Sequence, residues 1–222
     1  MNNLVLITSV IDTPNKPLSY TPIRSIFTKE ERFEQTKKTI QSVKTYIPNS
    51  IIFLVEYSIL SKEEEDYFKK HVDYFINIYD NSNDNIKNDL HSEFKSRCEG
   101  TMTTIALNYI KNNNIQFDMF YKISGRYWLS NKFDYNKFNE EISVIHLIEN
   151  DKNNAFTCVY KLTKQHLLLW LYFLENTAPL LYNIHGFESI FAIFITSIKT
   201  VKYIDKVGVS GYVSICGTYI DM

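Results

Sequence analysis

Asp118-Met-Phe-Tyr-Lys-Ile-Ser-Gly-Arg-Tyr127 is the stretch on which the fold turns. Met119 to Ile123 form a short, mainly apolar run, and Ser124-Gly125-Arg126 closes it in polar residues. Such a run reads as a buried strand. Glycine directly after it lets the backbone pass close to a ligand. The next residue is one of only four arginines (Arg24, Arg32, Arg97 and Arg126) set against 20 lysines. Lysine, isoleucine (27 residues) and asparagine (21 residues) abound, as an AT-rich coding bias would give, so each arginine stands out. A planar five-donor fork suits bidentate binding of carboxylate or phosphate, where lysine offers a point charge.

Upstream, Leu4-Val-Leu-Ile-Thr-Ser-Val10 and Ile51-Ile-Phe-Leu-Val55 are further buried-strand runs. Between them a connection with Pro14, Pro17 and Pro22 leads to Thr28-Lys-Glu-Glu31, at capping-box spacing. Phe33, Thr36, Ile40, Val43 and Ile47 then step at three and four, an amphipathic helix stopping at Pro48. Ser61-Lys-Glu-Glu64 caps a second helix, with Tyr67, Phe68, Val72 and Phe75 on its apolar face. Phe75 to Tyr79 reads as a short strand, Asp80 to Asn88 as a polar loop, and Phe94 to Lys111 as a third helix.

Downstream the character changes. Ser143 to Ile148 and Ala155 to Leu162 read as strands joined by an acidic turn. Thr163 to Asn176 is a helix, and Phe187 to Ile198 is a helix apolar nearly all round, hence buried. Val201 to Ile204 and Val207 to Ile215 read as closing strands. Strands alternating with capped helices imply right-handed βαβ units. The fold class is α/β: a Rossmann-like, mostly parallel central sheet flanked by helices, with a mixed C-terminal extension. No linker-like composition and no repeat divides the chain, so a single domain over residues 1–222 is expected.

The 222 residues are 45% hydrophobic with a formal net charge of -1, which excludes a disordered chain. Near-neutrality leaves no global field for nucleic acid or acidic membranes. Three cysteines without C-x-x-C make no disulfide framework, and buried thiols in a reducing compartment are expected. Met1-Asn2-Asn3 before the first strand is no signal peptide. Leu167 to Leu174, the most apolar stretch, falls short of the roughly 20 residues of a spanning helix. A soluble, cytoplasmic protein without a transmembrane segment is expected. The five His show no zinc spacing. Neither G-x-G-x-x-G nor G-x-x-x-x-G-K occurs, against dinucleotide redox chemistry and P-loop hydrolysis.

Ligands of open α/β sheets bind outside the carboxyl ends of the strands. Those positions are Thr8, Ser9 and Val10, then Glu56, Tyr57 and Ser58, then Asp80, then Ser124, Gly125 and Arg126. Two readings stand at Glu56: a carboxylate accepting two hydrogen bonds from a ribose diol, or a solvated strand end. Two stand at Arg126: a bidentate diphosphate ligand, or a surface arginine on a tight turn. Tyr127-Trp128 beside it offer faces for stacking on a sugar or nucleobase.

With its opening strand, Glu56-x-Ser58, the helix bearing Lys95, Arg97 and Glu99, and Phe120-Tyr-Lys-Ile-Ser-Gly-Arg-Tyr127, the chain resembles GT-A-fold nucleotide-diphospho-sugar glycosyltransferases. More narrowly, it is similar to the glycosyltransferase-like proteins of bacterial surface-polysaccharide clusters and large DNA viruses. Ile7-Thr-Ser and the Arg24-Ser25 to Thr36 segment add to the likeness. The resemblance implies transfer of a hexosyl or deoxyhexosyl group from a nucleotide-sugar donor to a hydroxyl of a glycan or glycoprotein acceptor, in the host cytosol if the source is viral. It makes residues 1–130 the nucleotide-binding half and 131–222 the acceptor and catalytic half. Donor-binding residues would be Thr8, Glu56, Ser58, Arg97, Ser124, Gly125 and Arg126. Glu188, at the start of a late helix behind His185-Gly186, would be the catalytic base. Its other reading is a charge complementing the helix dipole.

The family normally carries Asp-x-Asp after the fourth strand, chelating a divalent cation (Mn or Mg) that bridges the donor phosphates. This chain has Ser124-Gly125-Arg126 there, so Arg126 takes the place of the metal, or Glu149-x-Asp151 or the Asp80 to Asp84 loop supplies a cation site. The missing motif also admits a catalytically inactive sugar-nucleotide binding or assembly module. A nucleotidyltransferase would want a glycine-rich basic loop after the first strand, and Thr8 to Thr13 has neither glycine nor a basic residue.

Overall fold

The computed structural model describes residues 1–222, the side chain of Asn81 excepted. A seven-stranded sheet runs in the order β3-β2-β1-β4-β7-β6-β8. Its parallel part comprises β1 (Asn3–Ser9), β2 (Ser50–Glu56), β3 (Tyr74–Asn77) and β4 (Met119–Ser124). Beyond β4 the sheet becomes mixed: β7 (Val159–Thr163) runs antiparallel to both β4 and β6 (Ser143–Ile145), and β8 (Val201–Tyr203) is parallel to β6. The expected α/β class, with its change of character after the fourth strand, is the one observed.

Alternation along β1 explains its unbroken apolar run. Leu4 and Leu6 enter the core under α5 (Lys95–Asn112), α6 (Lys164–Asn176) and α8 (Phe187–Thr196). Val5 and Ile7 enter the core under α1 (Lys29–Tyr46) and α2 (Lys62–His71). A strand covered on both faces needs apolar residues at every position. Both expected capping boxes form: Thr28 with Glu31 opens α1, and Ser61 with Glu64 opens α2. Among the described residues no helix is long and apolar enough to cross a membrane.

Several elements depart from expectation. β3 ends at Asn77, whose side chain accepts from the Tyr79 amide at 3.2 Å and starts the short helix α3 (Ile78–Asn81). The expected polar loop also holds α4 (Asp84–Leu90), capped by Asn83. β6 stops at Ile145 and β7 begins only at Val159, the chain between them making an isolated bridge of Leu147 with Ala155. A second, three-stranded sheet was not expected: β5 (Tyr127–Leu129), β9 (Val209–Tyr212) and β10 (Tyr219–Asp221), in the order β10-β9-β5.

That small sheet is held to α1 by hydroxyls. Thr36 and Thr39 donate to the carbonyls of Gly125 and Tyr127 at 3.1 and 2.8 Å, and Ser42 accepts from the Leu129 amide at 2.9 Å. The buried face of α1 is therefore largely polar, and its polar groups pair with the backbone of the segment that leaves β4. Behind β9, Ser214 accepts from Arg32 Nη1 at 3.0 Å and from the Ile26 amide through its own carbonyl at 2.9 Å.

Candidate functional site

Thr8 and Ser124 are paired at the carboxyl ends of β1 and β4. Beyond them lies a small cavity of about 60 Å³ walled by Thr8, Ser9, Ser124, Gly125 and Arg126 on the sheet side, by Arg32 and Thr36 of α1, and by Glu99 and Met102 of α5. Gly125 is needed for the closeness of this packing: a Cβ there would stand 2.9 Å from Ser9 Cβ and 3.2 Å from Thr36 Oγ1. Its amide donates to the Thr8 carbonyl at 2.9 Å, tying the turn to β1.

Cationic groups crowd this crevice. Arg126 places its guanidinium 5.4 Å from the Tyr127 ring centroid, and its buried Nε has no hydrogen-bond partner among the described residues. Lys122 shares its face of β4 with Phe120, so it points toward α5, buried. Its ammonium donates to Ser124 Oγ at 2.6 Å and to the Thr157 carbonyl at 2.9 Å, and burial pushes its pKa down. On α5, Lys95 stands 3.6 Å from Glu99 one turn on, and Glu99 holds that ammonium's pKa up. Burial works to raise the pKa of Glu99, yet Lys95, Lys122 and Arg126 together hold it below the usual carboxylate range. One carboxylate thus faces three cations, and its buried Oε2 has no partner among the described residues. Arg32 adds a fourth cation behind them: burial and then Arg126 push its pKa down to about 9, so it is charged at neutral pH.

Glu99 is also a wall of a larger cavity of about 380 Å³, lined by Lys95, Ser96, Ser19 and Tyr20 on one side and by Tyr182 to Glu188 on the other. Ser96 donates to the Tyr182 carbonyl at 2.7 Å, and Gly100 leaves room for the Tyr182 ring, which a Cβ would meet at 2.0 Å. Glu188 lies in the first turn of α8, behind the cap residue Gly186. The two cavities meet at Glu99, so Glu188 and Arg126 serve adjoining spaces.

Solved structures share this architecture, although no family model and no curated protein sequence matches the chain. The nucleoside-diphosphate-sugar pyrophosphorylase of Vibrio cholerae RC9 is similar with a TM-score of 0.53 at 8% identity, covering 93% of this chain and 93% of that one. CTP:phosphocholine cytidylyltransferase of Streptococcus pneumoniae gives 0.51 at 12% identity, over 97% and 95% of the two chains. A glycosyltransferase involved in glycosylation of the major capsid of PBCV-1 gives 0.47 at 12% identity, over 92% and 82%. The fold is the one shared with that pyrophosphorylase and that cytidylyltransferase.

Within that frame the candidate residues part company. Thr8, Ser124, Gly125 and Arg126 converge on the small cavity, and Glu188 joins the adjoining one. Glu56 is 0% exposed. Its Oε1 accepts from the amides of Ile11 and Tyr57 at 3.0 and 3.1 Å and from Ser58 Oγ at 2.5 Å, while Ser58 Oγ accepts from the Asp12 amide at 2.8 Å. This pair ties down the loop after β1. Arg97 is not brought to the site: it pairs with Asp89 at 3.2 Å and donates to Asn183 at 3.0 Å. At about 100° per residue, a position two along from both Lys95 and Glu99 lies on the far side of the helix.

Lys122 and Arg32 are the site residues that the reading of strand ends missed. A lysine inside an otherwise apolar strand was the available signal, since a buried ammonium needs a reason to be there. The donor set does not fit a divalent cation: among the described residues Glu99 is the only carboxylate on the small cavity, and it is ringed by cations. Among the described residues no three His, Cys, Asp or Glu side chains converge. Asp151, of the Glu149-x-Asp151 pair, accepts from its own turn, the Asn153 amide at 2.9 Å and Asn154 Nδ2 at 2.8 Å.

Proposed function

We propose that the chain is a glycosyltransferase, moving a hexosyl or deoxyhexosyl group from a nucleoside-diphosphate sugar to a hydroxyl of a glycan or glycoprotein acceptor. The observation that carries this reading is Arg126, whose buried Nε lacks a partner where Lys95 and Lys122 also converge beyond β1 and β4. In the proposed complex the diphosphate meets Arg126, and the sugar extends past Glu99 into the larger cavity. Glu188 takes the proton of the acceptor hydroxyl as its oxygen bonds the anomeric carbon. The bond from that carbon to the phosphate oxygen breaks, and the electron pair leaves with the nucleoside diphosphate. Fixed cations aimed at the departing charge supply the electrostatic stabilisation that a bridging metal supplies elsewhere. The base contributes about 10²–10⁴-fold.

A second reading, nucleotidyl transfer, has in its favour that two of the similar structures bear such names. Against it, the amides of Ile11 and Asp12 after β1 already donate to Glu56 and Ser58, leaving them unable to cradle a triphosphate. Calorimetric titration with UDP-, GDP- and dTDP-sugars, with and without manganese, tests the leading reading. Binding without metal is expected; no heat with any of them sinks it. Glu188→Gln should lower nucleoside diphosphate release at least 100-fold at unchanged donor Kd. Donor binding with no turnover on any acceptor would leave the inactive-module reading standing instead.

A further inference from the structure

α6 enters the core through Leu167, Trp170, Leu171 and Leu174 and turns a second apolar line to solvent. On that line Leu168 and Tyr172, one turn apart, are 54% and 66% exposed. Lys164 stands one turn before Leu168 and Glu175 one turn after Tyr172, both exposed. Between these two charges α6 has no Lys, Arg, Asp or Glu. One face therefore runs cation, apolar, apolar, anion.

The end charges oppose their own helix. A helix N-terminus favours an anion and a C-terminus a cation. α6 has no acidic residue in its first turn and no basic one in its last. Lys164 opens it instead, and Glu175 stands in its last turn. Within the chain the Lys164 ammonium lies 5.6 Å from the Phe117 ring centroid, and Glu175 accepts from Asn108 Nδ2 at 2.9 Å. Neither charge meets an opposite one there among the described residues. Beside Leu168 a groove of about 180 Å³ lies between α5 and α6, walled by Leu107, Ile110, Leu168 and Leu171, with Lys111 and Lys164 as its charged residues.

We propose that this face pairs with α6 of a second copy of the chain, antiparallel about a twofold axis near Trp170. Such an interface is isologous, so every contact occurs twice. In this register Leu168 lies opposite Tyr172 of the second copy, whose ring enters the groove beside Leu168. Lys164 lies opposite Glu175 of the second copy. Each helix N-terminus thereby gains an anion and each C-terminus a cation. A parallel copy would set like charges together at both ends. None of Lys164, Leu168, Tyr172 and Glu175 lines either cavity of the candidate site, so the pairing uses a separate surface.

One helix pair is small against the roughly 1,200–2,000 Å² of stable interfaces, so the dimer should be reversible, with a Kd of roughly 10–100 μM. Sedimentation velocity of the full chain, carried to several times that concentration, should show the mass moving from one chain to two. Leu168→Ser/Tyr172→Ser should weaken association at least tenfold. Lys164→Glu and Glu175→Lys should each do the same, because each sets like charges together twice. Mixed in equal amounts, these two charge variants should associate as tightly as wild type, since each chain then meets the opposite charge at both ends. Recovery on mixing also shows that both variants are folded. A wild type that stays monomeric across the range overturns the proposal. So does a mixture no tighter than its components, which means that α6 does not pair antiparallel. Cosedimentation of wild type with neutral phosphatidylcholine vesicles, lost in the serine variant, also overturns it and makes the face a membrane contact.

Discussion

β1 is flanked at its carboxyl end by two charged groups, one sealed in and one open to a cavity. On the β2 side, Glu56 Oε1 accepts three hydrogen bonds from the chain around it. On the β4 side, Arg126 keeps its buried Nε without a partner, and Glu99 stands among cations with a free oxygen. Both are charged groups at strand ends, the positions where ligands bind in this class of sheet. Access separates them: Glu56 is fully buried, with Oε1 held by its own chain and Oε2 without a partner among the described residues, whereas Arg126 and Glu99 wall a cavity that a ligand can enter.

The largest effect that would break this contrast is on stability. Glu56→Ala strips the Ile11 and Ser58 donors of their acceptor and should cost about 3 kcal/mol in urea unfolding. A loss below about 1 kcal/mol would mean that the carboxylate is no strut. Next, Arg126→Lys should weaken UDP binding about thirtyfold, roughly 2 kcal/mol, with the unfolding midpoint retained. An unchanged Kd would remove Arg126 from the phosphates. Gly125→Ala forces a methyl against Ser9 and Thr36. It should destabilise by about 1.5 kcal/mol, read as a lower thermal midpoint.

The smallest effect is a pH slope. Burial, countered by the hydrogen bonds of Ser58, Ser9 and Ile11 and by Arg32, leaves the Glu56 pKa raised. A raised carboxyl pKa means that the folded state holds its proton more tightly than the unfolded chain does. Its contribution is therefore complete below the ordinary carboxyl value of about 4.3 and declines as pH rises through the folded value. Glu56→Gln keeps the neutral form at every pH, so its stability relative to wild type should improve from pH 4 to pH 7. The opposite slope in paired denaturant titrations would show that the native carboxyl is stabilised as the anion.

The parallel half was legible because its physics is local: β1 and β2 are apolar on both faces, β4 is so but for Lys122, and α1 and α2 announce themselves with capping boxes. The second sheet was not. β5 and β10 are three residues each, and α1 holds β5 through Thr39 and Ser42, residues whose apolar periodicity is nil. The convergence of Ser124, Gly125 and Arg126 with Thr8 on one cavity was readable from position alone. The burial of Glu56 was not, because the bond that turns its Oε1 inward comes from Ile11, distant in sequence. Helical phase already separated Arg97 from Lys95 and Glu99, and applying it would have moved the choice from the former to the latter pair.

The contact of Arg32 with Ser214 joins residues 182 positions apart. Loop closure over such a span comes late, since its entropy must be met before the contact gives anything back. Val10 and Ser25 already hold the Arg32 guanidinium from nearby in sequence, but its contact with Ser214 closes only when the β9 region arrives. Refolding should therefore recover the central sheet before it closes the contact of Arg32 with Ser214, a lag set by topology rather than by chemistry.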